Sequence, residues 1–182
     1  MLKVGLISDS HQRSDVTRSA VDYLLKKEID LLLHAGDIME FETLECMKNS
    51  SVPYVAVLGN HDTHLREFMS EFELFSEPHH FEFEGFNFKL MHHPFYLNSS
   101  SDIIIYGHTH RFVAKFYENS LYINSGEICA RNKALHEFAY FTCQKDGKTN
   151  KFEVFKVECE RESKASDSQI AKFNWKESRV NL

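Results

Sequence analysis

The chain has 182 residues, of which 42% are hydrophobic and 26% are charged. These values are ordinary for a soluble globular protein, and the length fits one domain with a sizeable core. Its 21 basic and 27 acidic residues give a formal charge of −6, which argues against a general nucleic-acid coat or an anionic membrane partner.

We expect a cytoplasmic protein. No apolar run is long enough to cross a bilayer, and the N-terminal apolar stretch is too short for a signal peptide. The four cysteines are scattered without C-x-x-C spacing. This pattern favours reduced thiols over a disulfide framework.

The first half of the chain alternates short apolar runs with helical patterns. We predict strands at residues 1–8, 30–35 and 54–58, and helices at residues 14–27, 41–48 and 63–72. The strands are almost continuously apolar, as a parallel sheet covered on both faces requires. The order of these elements implies right-handed crossovers.

The second half has mainly short, alternating strands. We predict them at residues 80–86, 87–91, 102–106, 113–117, 121–124, 138–143 and 151–157. Two packed sheets with helices outside follow from this pattern. Residues 159–182 are charged and mixed, so a surface helix, a disordered tail or an oligomer contact all remain open, and Phe173 and Trp175 indicate some packing.

Five polar segments each follow a predicted strand. They are Asp9-Ser10-His11, Gly36-Asp37, Gly59-Asn60-His61-Asp62, His92 and Gly107-His108-Thr109-His110. The carboxyl ends of strands in an open sheet release loops that gather into one site. Carboxylate and amide oxygens with imidazole nitrogens suit divalent transition metals, and the absence of cysteine from the set disfavours a structural zinc site.

The order D-x-H, G-D, G-N-H-[DE], a lone His and G-H-x-H resembles the calcineurin-like metallophosphoesterases over residues 1–158. The size and the INSGE segment are most similar to the compact bacterial and archaeal phosphodiesterase branch. The resemblance implies a four-layer α/β/β/α sandwich of two mixed sheets flanked by helices. Ser125 replaces the usual proline of this segment, and His93 stands where a glycine often follows the metal histidine. Neither change removes a ligand.

The resemblance also implies two divalent metal ions that share Asp37. The first would be held by Asp9, His11, Asp37 and His110, and the second by Asp37, Asn60, His92 and His108. We expect manganese, with iron, zinc, nickel and cobalt as alternatives. Two such ions about 3.5–4 Å apart clamp phosphate oxygens and turn a bridging water into the attacking hydroxide.

His61 and Asp62 are the candidate catalytic residues. His61 neighbours a ligand without being assigned to a metal, so it could protonate the leaving alkoxide while Asp62 orients it. For Asp62, a helix cap before Thr63 is the alternative. We prefer His92 to His93 as the ligand because it directly continues its strand.

The leading interpretation is a metal-dependent phosphodiesterase for a small diester, with no membrane or polymeric nucleic-acid partner and a possible homo-oligomer. A phosphomonoesterase or pyrophosphohydrolase with the same site is an alternative. Arg13 and Arg66 are the only nearby cations in the sequence, which weakly disfavours a dianionic monoester. The retromer scaffold subunit resembles the same compact fold, so a non-catalytic binding platform is a further alternative.

Overall fold

A computed structural model describes residues 1–147, 149–160 and 173–182. The helices are α1 (Ser14–Lys26), α2 (Phe41–Lys48) and a 3-10 segment (Thr63–Phe68). The strands are β1 (Leu2–Ile7), β2 (Leu31–His34), β3 (Tyr54–Val57), β4 (Leu74–Phe75), β5 (His79–Phe83), β6 (Phe86–Leu90), β7 (Ile103–Ile105), β8 (Phe112–Tyr117), β9 (Ser120–Ser125), β10 (Leu135–Asp146), β11 (Thr149–Glu160) and β12 (Lys176–Val180). None of the helices in these ranges could span a membrane.

The first sheet has seven strands in the order β12-β11-β10-β1-β2-β3-β4. Strands β1 to β3 run parallel, as their apolar sequences predict, β4 adds a further parallel strand, and β10 pairs antiparallel with β1. Strand β4 is only two residues long, too short for a periodicity to reveal it. The helix predicted at residues 63–72 is shortened to the 3-10 segment.

The second sheet has five strands in the order β5-β6-β7-β9-β8. Its central strands β6, β7 and β9 are parallel, and its edge strands are antiparallel. Leu6 and Leu33 of the first sheet share one buried core with Leu90 and Ile105 of the second. The two sheets therefore pack face to face.

The helices cover the outer face of the first sheet. Val16, Ala20 and Leu24 of α1 form a buried stripe at helical spacing and join a second core with Phe138. The predicted α/β architecture with two mixed sheets is confirmed. In the described part of the chain, a loop lies over the outer face of the second sheet. Lys89 Nζ of β6 donates a hydrogen bond to the carbonyl of Tyr96 in this loop (2.9 Å).

Near the end of the chain, residues 176–180 form strand β12. Strand β12 pairs antiparallel with β11, at a place where the sequence left a surface helix, a disordered tail or an oligomer contact open. Strand β11 continues to Glu160, across the predicted boundary at residue 158, and residues 161–172 of the predicted extension lie outside the described residues. Trp175 packs on Phe138 with ring centroids 4.8 Å apart, which confirms the packing indicated by the sequence.

Candidate metal centre

The predicted ligands converge at the carboxyl ends of the parallel strands. Five of them lie in the left-handed backbone region: Asp9 (φ 53°), His11 (46°), Asp37 (55°), His108 (64°) and His110 (56°). This region is uncommon for residues other than glycine and costs on the order of 1–3 kcal/mol each time. The surrounding sheets hold these turns, which aim the side chains at a common point.

Gly59 shows how closely the loops approach one another. A Cβ atom at this position would lie 2.3 Å from Oδ1 and from the backbone nitrogen of Asp37. No side chain could be accommodated there without moving the Asp37 loop. The glycine of the GNHD segment therefore permits the contact between the second and third motifs.

One group of ligand atoms surrounds His110. Its Nε2 lies 3.3 Å from Asp9 Oδ1 and 3.5 Å from His11 Nε2. His11 Nε2 lies 3.8 Å from Asp37 Oδ2. These are the four residues predicted for the first metal.

A second group surrounds Asn60. Its Oδ1 lies 3.0 Å from His92 Nε2 and 3.2 Å from His108 Nδ1. His92 Nε2 also lies 3.4 Å from Asp37 Oδ2, the oxygen that belongs to the first group as well. The structure thus brings together all seven predicted ligands in two groups that share one carboxylate oxygen.

The chemistry of these groups fits divalent cations. His92 Nδ1–H donates to the carbonyl of Ala35 (2.8 Å), which leaves Nε2 on the side of the ring that faces Asn60 Oδ1 (3.0 Å). Asp9 Oδ1 is buried and accepts no hydrogen bond from the described residues. Ligand atoms about 2.1 Å from one ion lie about 3–3.4 Å apart, which is close to the spacing of the oxygen and nitrogen atoms in these two groups.

Burial and neighbouring charges shift the pKa values of Asp9 and Asp37 in opposite directions. Burial raises the pKa of Asp9 to about 6. Burial also acts on Asp37, but the hydrogen bond and charge of His92 hold the pKa of this carboxyl well below its usual range. Burial would lower the pKa of His92, yet its contact with Asp37 raises that pKa to about 9. Asp37 is therefore an anion suited to a position between two cations.

Glu127 is a part of the site that the motif analysis missed. Its Oε2 accepts a hydrogen bond from His110 Nδ1 (2.5 Å), while its Oε1 accepts from the backbone amides of Asn132 (2.8 Å) and Lys133 (2.7 Å). A carboxylate behind a ligating histidine fixes the tautomer and the ring orientation. The available signal was its position in the INSGE segment directly after β9.

His61, the candidate proton donor, lies at the edge of the two ligand groups. Its side chain is 49% exposed, and its Nε2 is 4.0 Å from Asp37 Oδ2. Its backbone N–H donates to Asp37 Oδ1 (3.0 Å). The imidazole thus stands beside the shared carboxylate and open to the cavity.

Asp62 contacts the backbone of neighbouring loops through its carboxylate. Its carboxylate is buried and accepts hydrogen bonds from the backbone amides of Ile38 (3.0 Å), Met39 (2.8 Å) and Gly59 (2.8 Å). It makes no side-chain cap to the 3-10 segment, so the alternative role as a helix cap is wrong. Asp62 ties the loop after β2 to the loop after β3.

The neighbouring histidines His92 and His93 have different surroundings. His92 is fully buried within the second group of ligand atoms, whereas Nδ1 of His93 lies 2.5 Å from Glu77 Oε1. The His93 ring nevertheless stays near the site, with its centroid 4.5 Å from that of His108. His34 is a buried core histidine, and burial lowers its pKa to about 3.

A cavity of about 530 Å³ opens beside the first group. It is lined by His11, Gln12, Arg13, Met39, His61, Cys129 and Arg131. The expectation that Arg13 and Arg66 are the only nearby cations was incomplete. Arg131, far away in sequence, joins Arg13 because the segment after Glu127 folds back over the Asp9 loop.

Comparisons with known proteins agree with this geometry. The family model of the calcineurin-like phosphoesterase superfamily domain matches residues 2–146. Phosphodiesterase MJ0936 of Methanocaldococcus jannaschii is 26% identical over 70% of this chain and 85% of its own length. A solved structure of a novel archaeal phosphodiesterase has a TM-score of 0.69 and 23% identity, covering 84% of this chain and 99% of that one. Vps29 of Entamoeba histolytica complexed with zinc has a TM-score of 0.64 and 17% identity, covering 98% of each chain.

Proposed function

Because this chain belongs to the calcineurin-like phosphoesterase superfamily, we propose that it is a dinuclear metal-dependent phosphodiesterase that hydrolyses a small phosphodiester. The observation that carries this proposal is the pair of ligand groups joined at Asp37 Oδ2. Two divalent ions held there would polarise the phosphate and lower the pKa of a bound water to about 7.

Two side chains of the protein would assist the reaction: Asp37 would hold the metal ions, and His61 would protonate the leaving group. Asp37, held anionic by His92, balances the charge between the two groups of ligands. His61 is close to that carboxylate and open to the cavity, so its imidazole can deliver a proton to the leaving oxygen. A positioned general acid contributes about 10²–10⁴-fold in rate.

The cavity supports a small substrate. Its volume of about 530 Å³ falls in the range of small-molecule sites. The loop segments around it are short, and His61 in its wall is half-exposed. An open site of this kind would accept several small diesters.

Arg131 favours a second candidate, a phosphomonoesterase or pyrophosphohydrolase. A dianionic terminal phosphate requires more positive charge in its binding site than a monoanionic diester does. One guanidinium group can bind two phosphate oxygens at once. Arg131 and Arg13 line the same cavity as His61. Arg13 already holds Asp15 with its Nε at 2.9 Å, which leaves Arg131 as the stronger argument for this alternative.

Hydrolysis by the purified protein tests the proposal. With added manganese, we expect a nitrophenyl phosphodiester to turn over faster than the nitrophenyl phosphomonoester, with two metal ions per chain by elemental analysis. Faster monoester hydrolysis would establish the second candidate. No bound metal and no turnover of either substrate would favour the non-catalytic scaffold. A panel of cyclic nucleotides, dinucleotides and glycerophosphodiesters would then identify the substrate class.

A further inference from the structure

Cys129 lies against the first group of ligand atoms. Its Sγ and the ring nitrogens of His11 and His110 all lie within 4.8 Å of one another. We propose that Cys129 is an additional ligand of the first metal ion, and that it makes this position select zinc or iron(II) over manganese. The inference rests on the proposed dinuclear centre and adds a ligand from outside the five motifs.

The backbone around Cys129 holds the sulfur in place. The N–H of Cys129 donates to the carbonyl of Asp9 (3.3 Å), and the N–H of Ile128 donates to the carbonyl of Ser8 (3.1 Å). This segment is therefore fastened to the loop that carries the first two ligands. Cys129 is only 5% exposed, and it lines the cavity beside the site.

An independent feature indicates a cation at the same place. Asp9 is completely buried, its Oδ1 accepts no hydrogen bond from the described residues, and this oxygen lies 3.3 Å from His110 Nε2. His110 thus links this oxygen to the group formed by the sulfur of Cys129 and the ring nitrogens of His11 and His110. A buried unpaired carboxylate oxygen is costly unless a cation or a donor reaches it.

The thiol can become a ligand without disturbing its neighbours. Its S–H donates a hydrogen bond to Glu127 Oε2 (3.5 Å), and the same oxygen also accepts the hydrogen bond from His110 Nδ1. When the sulfur binds a cation as a thiolate, its proton leaves to solvent through the cavity. Glu127 keeps its contact with His110.

The expected consequence is a change of metal preference. Thiolate is a soft ligand that suits zinc and iron, whereas manganese prefers oxygen ligands. A site of two histidines and carboxylates alone would not make this distinction as strongly. Cys46, a buried thiol in α2 within the helical core, provides a matched control.

Cobalt(II) titration tests the assignment because a sulfur ligand produces a charge-transfer band in the near ultraviolet. We expect the band in the wild-type protein and in Cys46→Ser, and its loss in Cys129→Ser and Cys129→Ala with two cobalt ions still bound. Zinc affinity at the first site should fall at least about tenfold in both Cys129 variants, since even outer partners of ligands contribute that much. Manganese affinity should stay within about twofold of the wild-type value.

Three results would overturn the inference. If the wild-type protein binds two cobalt ions without the band, or if Cys129→Ser keeps the band, then Cys129 is not a ligand and the dinuclear proposal stands. If the wild-type protein binds no cobalt, zinc or manganese, both the inference and the dinuclear proposal fail. The wild-type spectrum decides the question even if neither Cys129 variant folds.

Discussion

Glu127 Oε2 lies 2.5 Å from Nδ1 of His110, on the side of the ring that faces away from Asp9. The carboxylate accepts a hydrogen bond from Nδ1–H, so Nε2 faces the proposed metal position. At the second group, the carbonyl of Ala35 holds Nδ1 of His92 in the same way (2.8 Å). Each group of ligands thus contains a histidine whose tautomer is set by a partner behind it.

Asp37→Ala should remove both metal ions. Its Oδ2 belongs to both groups of ligands, so no separate carboxylate would remain between them. Elemental analysis of the purified variant measures this directly. Asp22→Ala, at an exposed position on α1, is the control and should retain two ions. Full occupancy of one ion in Asp37→Ala would mean that Asp37 serves a single site.

His92→Ala should lose one metal ion and nearly all activity, whereas His93→Ala should keep both ions. His92 Nε2 is 3.0 Å from Asn60 Oδ1, while His93 is held by Glu77. Metal content and turnover of the two variants should be compared side by side. The opposite pattern would show that His93, whose ring also lies beside that of His108, is the true ligand.

His61→Ala should slow hydrolysis of an alkyl diester far more than that of a nitrophenyl diester. A poor leaving group needs a proton in the transition state, and a stable anion does not, so the alkyl rate should fall about 10²–10⁴-fold. Metal content should not change, since His61 Nε2 is 4.0 Å from Asp37 Oδ2 and belongs to neither group. Equal losses on both substrates, together with lost metal, would make His61 a structural residue.

Asp62→Ala should destabilise the protein, by on the order of 3 kcal/mol in the free energy of unfolding, because it leaves buried amides without an acceptor. Three backbone N–H groups from two loops donate to this carboxylate. Urea unfolding measures the loss, and the half-exposed His61→Ala variant provides the comparison. Unchanged stability with lost turnover would restore the catalytic role expected from the sequence.

The stability that Glu127 supplies should disappear in acid. Burial raises the pKa of Glu127, but the hydrogen bonds from His110 and the backbone amides of Asn132 and Lys133 hold it at about 2, below the ordinary 4.5. Because the folded-state pKa is lower, the contribution is complete above pH 4.5 and is lost as the pH falls towards 2.

Glu127→Gln tests this pH dependence. The variant should be about 3 kcal/mol less stable than the wild-type protein at neutral pH, and the difference should shrink progressively below about pH 4.5. Urea unfolding in the presence of a chelator, across this pH range, measures the effect without a contribution from bound metal. A difference that stays constant with pH would show that Glu127 acts through packing alone.

Asp62 and Glu127 show where reasoning from sequence was insufficient. Asp62 follows His61, the candidate acid, in the GNHD segment, so its position in the sequence indicates catalysis. In the structure its carboxylate accepts hydrogen bonds from the amides of Ile38 and Met39, more than twenty residues away. Glu127 follows a strand as the ligands do, yet only its contact with His110 gives it a role. Strand β12 also depends on tertiary pairing, since its charged sequence has no buried face to produce an alternating pattern.

The sequence by itself predicted the first three parallel strands, the candidate ligand set and the family resemblance, because each of the five polar segments follows an apolar run and these signals are local. The tertiary structure decided which atoms meet. Left-handed turns at Asp9, Asp37 and His110 aim side chains that periodicity cannot orient. The return of residues 126–131 over the Asp9 loop brings Glu127, Cys129 and Arg131 to the site. Contacts between segments more than a hundred residues apart depend on the packing of two complete sheets, which no local pattern encodes.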